Sequence, residues 1–273
     1  MERDYWRTVH SGQSGTTIAA VDFVGTHARA TFSHMAAALP GSHTMMRTAV
    51  PKEVADRRTG DPGPYLAAWM RELAEIDDVV AVIGYCAGGP FAIEMSRRLA
   101  ASGRPAPAVV LIDPEPVSAE TLRYQFRLVA RAMGQETATG APDVAGTGPV
   151  ADGGPGHLLA LAADLSGRYE AMVRDSFVRL DLAPDLGDEL VLHFRRYLDY
   201  LCAAGALYGS APAPDAHAFI SADHPFPDGL DGPCRRFDVA REDFLGDPGV
   251  VDAVARLVAA DRPGTAVTRG AGR

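Results

Sequence analysis

The sequence predicts an α/β fold built on a mostly parallel central sheet, with a helical insertion between two of its strands. Three observations support this prediction. Short apolar runs rich in β-branched residues occur at 79–83 and 108–112, as is typical of strands buried on both faces. An amphipathic helical pattern ending at Gly103 joins these two runs through short connections. A mostly helical stretch at 119–204 then interrupts the alternation of strands and helices.

The other predicted elements extend this alternation towards both ends of the chain. Glycine, proline and changes in hydrophobic period mark their limits. In chain order they are a strand at 16–24, a helix ending at Leu39, an extended run at 43–50, a helix opening at Pro64, strands at 218–221 and 236–239, and a closing helix at 250–260. We therefore interpret residues 1–273 as a single domain.

The helical stretch is predicted to form a lid, which we define as the insertion at about 117–205. It would cover the carboxyl edge of the sheet, where parallel sheets bind ligands. Its predicted helices lie at 122–133, 169–180 and 190–204. The segment 134–156 is rich in glycine, alanine, proline and threonine, so we expect it to be mobile. We expect the tail at 261–273 to be disordered.

Composition excludes several classes of function. The net charge of −9 is unfavourable for nucleic-acid binding. No apolar run reaches the roughly 18 residues of a membrane span, and the N-terminus does not resemble a signal peptide. We therefore expect a cytoplasmic protein without a membrane partner. The three cysteines, Cys86, Cys202 and Cys234, are expected to be reduced thiols, and no metal site is predicted.

The most informative motif is Gly84-Tyr85-Cys86-Ala87-Gly88-Gly89, which lies between a predicted strand and a helix. It matches the G-x-S-x-G nucleophile elbow of α/β hydrolases, with cysteine in the place of serine. The glycines leave room for neighbouring backbone at this strained turn. The Ala87 amide is predicted to face a developing oxyanion, and the helix N-terminus is expected to lower the thiol pKa. Cys86 is the predicted nucleophile; the alternative is a small buried cysteine in a glycine-rich turn.

The stretch 79–116 resembles the thioesterase family of nonribosomal peptide and polyketide synthases, a branch of the α/β-hydrolase superfamily. The residues that carry the resemblance are the motif at 84–89, the helical segment Glu94-Met95-Ser96-Arg97-Arg98-Leu99, and the apolar strand at 109–113. The resemblance extends in order and length over most of the chain, including the lid. It implies an α/β-hydrolase fold and an enzyme that acts on thioesters.

The resemblance also implies where the other members of a catalytic triad should lie. It places the acid at Asp113, although other family members carry it after a later strand, where this chain has Asp223. It places a histidine shortly before the final helix, but this chain has Arg241 there and no histidine after His224. Arginine cannot act as a base near neutral pH. His224 and His27 are the possible substitutes; alternatively, a partly ionised thiol needs no strong base.

The loop after the first strand supplies the second oxyanion amide in this family. The family pattern there is rich in glycine, whereas this chain reads Phe23-Val24-Gly25-Thr26-His27-Ala28. We predict that amides near Gly25 and Thr26 complete the oxyanion hole with Ala87.

A cysteine nucleophile changes the expected chemistry, because its acyl-enzyme is a thioester that remains reactive towards amines, thiols and carbanions. Cysteine members of the family resemble acyl or aminoacyl shuttles and Dieckmann-type cyclases. We therefore expect transfer or cyclisation of a small-molecule acyl group that arrives on the phosphopantetheine arm of an acyl or peptidyl carrier protein, without a cofactor. The alternatives are a hydrolytic type II thioesterase and a degenerate, non-catalytic binding protein, which the missing histidine favours. A dienelactone-hydrolase-like enzyme shares the elbow but not the lid.

Overall fold

The structure is a computed structural model that describes residues 3–23, 29–41, 43–51, 54, 59–134, 154–208, 215–225 and 232–260. These residues form one mixed sheet flanked by helices. Its strands are β1 (Trp6–His10), β2 (Thr17–Val21), β3 (Thr44–Thr48), β4 (Val79–Tyr85), β5 (Ala108–Ile112), β6 (Ala216–Ile220) and β7 (Cys234–Arg236). The predicted tail at 261–273 and most of the segment expected to be mobile lie outside the described residues.

The sheet order is β1-β3-β2-β4-β5-β6-β7. Strand β1 is antiparallel to β3, and every other neighbouring pair is parallel. The register pairs Val21 of β2 with Gly84 of β4, and Tyr85 of β4 with Ile112 of β5. The carboxyl ends of these three central strands therefore lie side by side, and the residues that follow them share one edge of the sheet.

Helices cover both faces of the sheet, which confirms the predicted α/β class. They are α1 (Phe32–Ala38), α2 (Pro62–Leu73), α3 (Gly89–Ala101), α4 (Ala119–Ala132), α5 (Gly154–Leu180), α6 (Pro184–Leu207) and α7 (Pro248–Ala260), with short 3₁₀ helices at Cys86–Gly88 and Arg241–Gly246. Along β2, Ala19 and Val21 belong to the core under α2, α3 and the lid helices, whereas Ile18 and Ala20 belong to the core under α1 and α7. Burial on both faces explains why the strand sequences are continuously apolar.

The lid helices α4, α5 and α6 lie between β5 and β6 in the chain, and α6 ends at Leu207, two residues past the predicted interval. Helix α5 begins at Gly154, well before the predicted start at 169. Tyr169 of α5 and Phe194 of α6 join the two helices, with 4.5 Å between their ring centroids. Further along α6, Tyr200 stacks on Phe91 of α3 at 5.2 Å, so the lid is fixed to the helix that follows the elbow. Within the described residues, none of these helices is long and apolar enough to cross a membrane.

The two edge strands differ from the sequence-based prediction. Strand β1 was not predicted, because its five residues mix buried and exposed positions without a clear alternation. It is attached to the core by Trp6, whose indole nitrogen donates to the carbonyl oxygen of Trp69 at 3.0 Å. Strand β7 ends at Arg236, where the prediction began a strand, and all three of its residues are exposed. Edge strands lack the two-sided burial that made the central strands recognisable.

The turn between β4 and α3 requires glycine at two positions. A Cβ atom on Gly84 would lie 2.6 Å from the Cα of Gly89, and one on Gly88 would lie 2.3 Å from the carbonyl oxygen of Val21. Both neighbours are backbone, so neither can rotate away. The glycines of the motif therefore allow the nucleophile turn to pack directly against β2 and α3.

We expect Gly88→Ala to lower the free energy of unfolding by about 2 kcal/mol or more, because the new methyl group would overlap the Val21 carbonyl. Gly167→Ala is the matched control, since a Cβ there has no heavy atom within 4 Å. On the exposed face of α5 it should stabilise the protein by up to about 1 kcal/mol. Urea denaturation measures both values. Equal effects of the two substitutions would contradict the described packing of the elbow.

Candidate active site

Cys86 follows β4 directly and begins the short 3₁₀ turn that leads into α3. Its φ is 52°, a left-handed conformation that a residue with a side chain adopts only under strain. The thiol is free and partly exposed at the carboxyl edge of the sheet. This is the geometry expected of a nucleophile elbow, and Cys86 remains the predicted nucleophile.

Asp113 occupies the corresponding position after β5, and its φ of 44° is also left-handed. Its side chain is fully buried. One carboxylate oxygen accepts from the backbone amide of Ser221 and the other from the Ser221 hydroxyl, both at 2.8 Å. These bonds hold the carboxylate rigidly at the end of β6, as a triad acid requires.

Arg241 lies beside this carboxylate, at the start of the last 3₁₀ helix. Its Nε is 3.8 Å from Asp113 Oδ2 and donates to the hydroxyl of Tyr85 at 3.3 Å. Burial opposes the charge on Arg241, but the neighbouring Cys86, Tyr85 and Asp113 outweigh it and raise the arginine pKa. An arginine therefore stands next to the predicted acid and the elbow, where the family resemblance places histidine.

The other possible acid, Asp223, has a different role in this arrangement. Its Oδ1 accepts from the backbone amide of Arg241 at 3.0 Å, so it fixes the arginine's main chain. Burial opposes ionisation of Asp223, but hydrogen bonds, first among them that from the Arg241 amide, outweigh it and lower its pKa. Asp223 thus holds the position of Arg241, while Asp113 faces its guanidinium.

Glu115 is a site residue that the sequence analysis missed. Cys86 Sγ donates to Glu115 Oε2 at 3.8 Å, within the range of a hydrogen bond from sulfur. The same oxygen lies 3.9 Å from Arg241 Nη1. Glu115 could have been found as a second carboxylate only two residues beyond Asp113, in the loop that leaves the same sheet edge.

Burial raises the pKa of the Cys86 thiol to about 11. The Arg241 guanidinium lowers it, Glu115 raises it, and hydrogen bonds from Arg241 and from the Ala87 amide lower it further, but burial prevails. The amide at the start of the helix lowers this pKa, as expected, but desolvation of the sulfur outweighs it. At such a pKa about 1 in 10,000 thiols would be ionised at pH 7, which disfavours the base-free alternative.

Of the two histidines considered as substitutes for the base, the structure describes only His224. His224 is buried, and its Nε2 lies 3.4 Å from the carbonyl oxygen of Pro114. Among the described contacts, none joins His224 to Cys86 or Asp113. His27 and the predicted oxyanion residues Gly25 and Thr26 lie outside the described residues. The Ala87 amide hydrogen-bonds to Cys86, and its contribution to an oxyanion hole stays a prediction.

Aromatic side chains border the site on the lid side. The Phe23 ring, just beyond β2, lies 5.3, 4.9 and 5.3 Å from the rings of His193, Tyr197 and Tyr200 on α6. Burial raises the pKa of Tyr197, and the charge of Cys86 would raise it further, so the phenol and the thiol are neighbours. Aromatic rings of the lid helix α6 and of Phe23 therefore lie on the lid side of the site.

One further carboxyl group borders the site at the end of β2. Burial raises the pKa of Asp22 to about 7, against the opposing effect of Arg47 and the smaller one of Arg241. The part of the chain that the structure describes contains no group of three or more histidine, cysteine, aspartate or glutamate side chains that could hold a metal ion. The site is therefore built from one thiol, several carboxyl groups and one guanidinium.

The Arg241 guanidinium of this site can stabilise negative charge but cannot accept a proton. A guanidinium donates hydrogen bonds and never accepts them. Placed beside a sulfur nucleophile, it favours the thiolate and any oxyanion formed nearby, but it cannot remove a proton from thiol or water.

Comparison with known proteins supports the relationship suggested by the sequence motifs. Residues 16–128 match the family model described as thioesterase domain. Curated protein sequences include none that matches this chain.

Several solved structures share the fold. The type II thioesterase BorB, from the borrelidin biosynthetic cluster, is 16% identical, with a TM-score of 0.55 over 94% of this chain and 99% of that one. The NocB thioesterase domain is 16% identical, with a TM-score of 0.52 over 93% and 99%. RedJ, a thioesterase of the prodiginine pathway in Streptomyces coelicolor, is 16% identical, with a TM-score of 0.50 over 91% of each chain. At this level of identity the likeness establishes the fold. The chain therefore has the predicted α/β-hydrolase fold, and its residues 16–128 are similar to the thioesterase domain, in agreement with the resemblance suggested by the sequence.

Proposed function

We propose that this protein is an acyltransferase that takes an acyl or aminoacyl group from a carrier-bound thioester, holds it on Cys86, and passes it to a second acceptor. The observation that carries the proposal is the position of Arg241, 3.8 Å from Asp113 and beside Cys86. A guanidinium in the place of the family's histidine supports charge stabilisation during acyl transfer but cannot activate water.

The sulfur nucleophile supports transfer over hydrolysis. An acyl-cysteine is itself a thioester, so exchange with another thiol is nearly balanced in free energy. Hydrolysis of the acyl-enzyme needs a base able to deprotonate water, and the imidazole that would do so is missing from the position where the resemblance places it. The aromatic border at Phe23 and Tyr197 further limits the access of water.

The expected donor is a small acyl group on the phosphopantetheine arm of an acyl or peptidyl carrier protein. This follows from the resemblance to thioesterases of nonribosomal peptide and polyketide synthases. The arm brings its own thioester, and the proposed transfer through Cys86 uses no cofactor. Cyclisation would use a carbanion within the substrate as the acceptor instead of a thiol.

Two other functions remain to be tested against this proposal. The first is hydrolysis as a type II thioesterase, the class to which BorB belongs. The second is a degenerate, non-catalytic binding protein, which the raised pKa of Cys86, about 11, favours. The three functions differ in whether an acyl-enzyme forms and in which acceptor takes the acyl group from it.

We expect incubation with acyl thioesters of N-acetylcysteamine of increasing chain length to add one acyl group to Cys86. Intact-mass spectrometry with peptide mapping detects the adduct. Cys86→Ala should form none, whereas Cys234→Ser, which removes an exposed thiol, should behave as wild type. Added pantetheine should divert the acyl group into acylpantetheine. Release of free acid at a rate unaffected by pantetheine would indicate a hydrolase, and a wild type without adduct or turnover would indicate a binding protein.

We expect Arg241→Met to slow formation of the acyl-Cys86 adduct by about 100-fold, because it removes the guanidinium that stabilises the developing negative charge. Arg241→Lys keeps a positive charge and should retain more activity. Arg256→Met is the matched control, since Arg256 is exposed on α7 and paired only with Asp252 among the described residues. Time-resolved mass spectrometry gives the rates. Acylation of Arg241→Met at the wild-type rate would contradict the role of the guanidinium.

A further inference from the structure

We propose that Glu115 is the general base of this site: it takes the proton of the Cys86 thiol as sulfur attacks the acyl group, and returns it to the departing thiol. This inference rests on the proposed function, in which Cys86 carries the acyl group. It goes beyond it by naming the residue that moves the proton and the class of acceptor.

Geometry identifies Glu115 as the proton acceptor. Its Oε2 accepts the hydrogen bond of Cys86 Sγ at 3.8 Å, so no rearrangement is needed to bring donor and acceptor together. The oxygens of Asp113 are instead engaged by Ser221, and the ring of His224 contacts the Pro114 carbonyl. Glu115 is therefore the carboxylate that faces the sulfur.

Arg241 makes this proton transfer electrostatically feasible. Its Nη1 lies 3.9 Å from Glu115 Oε2, and its guanidinium also lies beside the Cys86 sulfur. When the proton moves, the negative charge leaves the carboxylate and develops on sulfur, within reach of the same cation. The guanidinium thus stabilises the charge before and after the transfer, while Asp113 holds the guanidinium from its buried side.

The proposed step conserves atoms and charge. The S–H bond of Cys86 breaks as its proton goes to Glu115, and the sulfur electron pair forms a bond to the thioester carbonyl carbon. The tetrahedral intermediate then expels the phosphopantetheine sulfur, which receives the proton from Glu115. The products are acyl-Cys86 and a free phosphopantetheine thiol, and Glu115 is again ionised.

The same steps taken in reverse order predict the acceptor of the acyl group. By microscopic reversibility, an incoming thiol gives its proton to Glu115 and takes the acyl group from Cys86. A carboxylate removes a proton far more readily from a thiol, with an ordinary pKa of about 8.5, than from water, with a pKa of about 15.7. The arrangement therefore favours a second thiol, such as another phosphopantetheine arm, over water as the acceptor.

Glu115→Gln separates this role from a purely electrostatic one, because the two roles predict opposite changes in the rate at which Cys86 is acylated. Glu115 raises the thiol pKa, so its neutralisation should increase the thiolate fraction and speed alkylation of Cys86 by iodoacetamide at pH 7. Loss of the base should at the same time slow acylation of Cys86 by S-acetyl-N-acetylcysteamine about 100-fold. Glu120→Gln is the matched control, since its side chain is 35% exposed, compared with 36% for Glu115.

A second variant tests the same role without relying on Glu115→Gln. Glu115→Ala leaves space for a small carboxylate, so added formate should restore part of the lost acylation rate. Glu120→Ala should show no response to formate. Peptide mapping assigns each modification to Cys86, and circular dichroism checks that each variant is folded.

The outcomes distinguish the two proposals. Faster alkylation with slower acylation in Glu115→Gln, together with formate rescue of Glu115→Ala, is the expected result. Acylation that is unchanged or faster in Glu115→Gln, without formate rescue, would overturn the role of Glu115 while leaving acyl-Cys86 in place. A wild type that forms no acyl-Cys86 would overturn the proposed function itself, and with it the proposed role of Glu115.

Discussion

The position of Arg241 determines what this active site can do. Its guanidinium lies between the buried carboxylate of Asp113 and the more exposed Glu115, and beside the thiol of Cys86. A buried carboxylate without a cation would be costly, and a buried cation without carboxylates equally so. The guanidinium and the two carboxylates therefore stabilise one another. Where the family resemblance places a histidine, which could act as a base, this chain has a fixed positive charge.

The rest of the fold brings this set together. Parallel pairing of β4 with β5 places Cys86 and Asp113 at neighbouring strand ends, each in a left-handed conformation. Glycines at 84 and 88 allow the elbow to pack against the backbone of β2 and α3. The lid helix α6 then places aromatic rings beside the thiol. Burial raises the thiol pKa, so the proposed attack by Cys86 requires a partner able to take its proton.

Much of this arrangement could be predicted from the sequence, because its causes are local. The central strands are continuously apolar, and the G-Y-C-A-G-G motif specifies the turn that presents Cys86. The edge strand β1 and the early start of α5 lacked such local signals. The position of Glu115 depends on contacts between residues far apart in sequence: β4–β5 pairing brings Cys86 near it, and the last 3₁₀ helix brings Arg241 near it. The pKa of Cys86 likewise depends on desolvation by all the elements around the sulfur, so the helix N-terminus alone could not predict the net direction of its shift.

We propose that Cys86 rests as a protonated thiol and loses its proton only during attack, with Arg241 stabilising the charge. Spectrophotometric titration of the thiolate, taken as the difference between wild type and Cys86→Ala, tests this claim directly. We expect a pKa for Cys86 of about 11, well above that of a free thiol. A pKa at or below about 8.5, the value for free cysteine, would leave part of the thiol ionised near neutral pH, and attack by Cys86 would then need no proton acceptor, which would contradict the proposal.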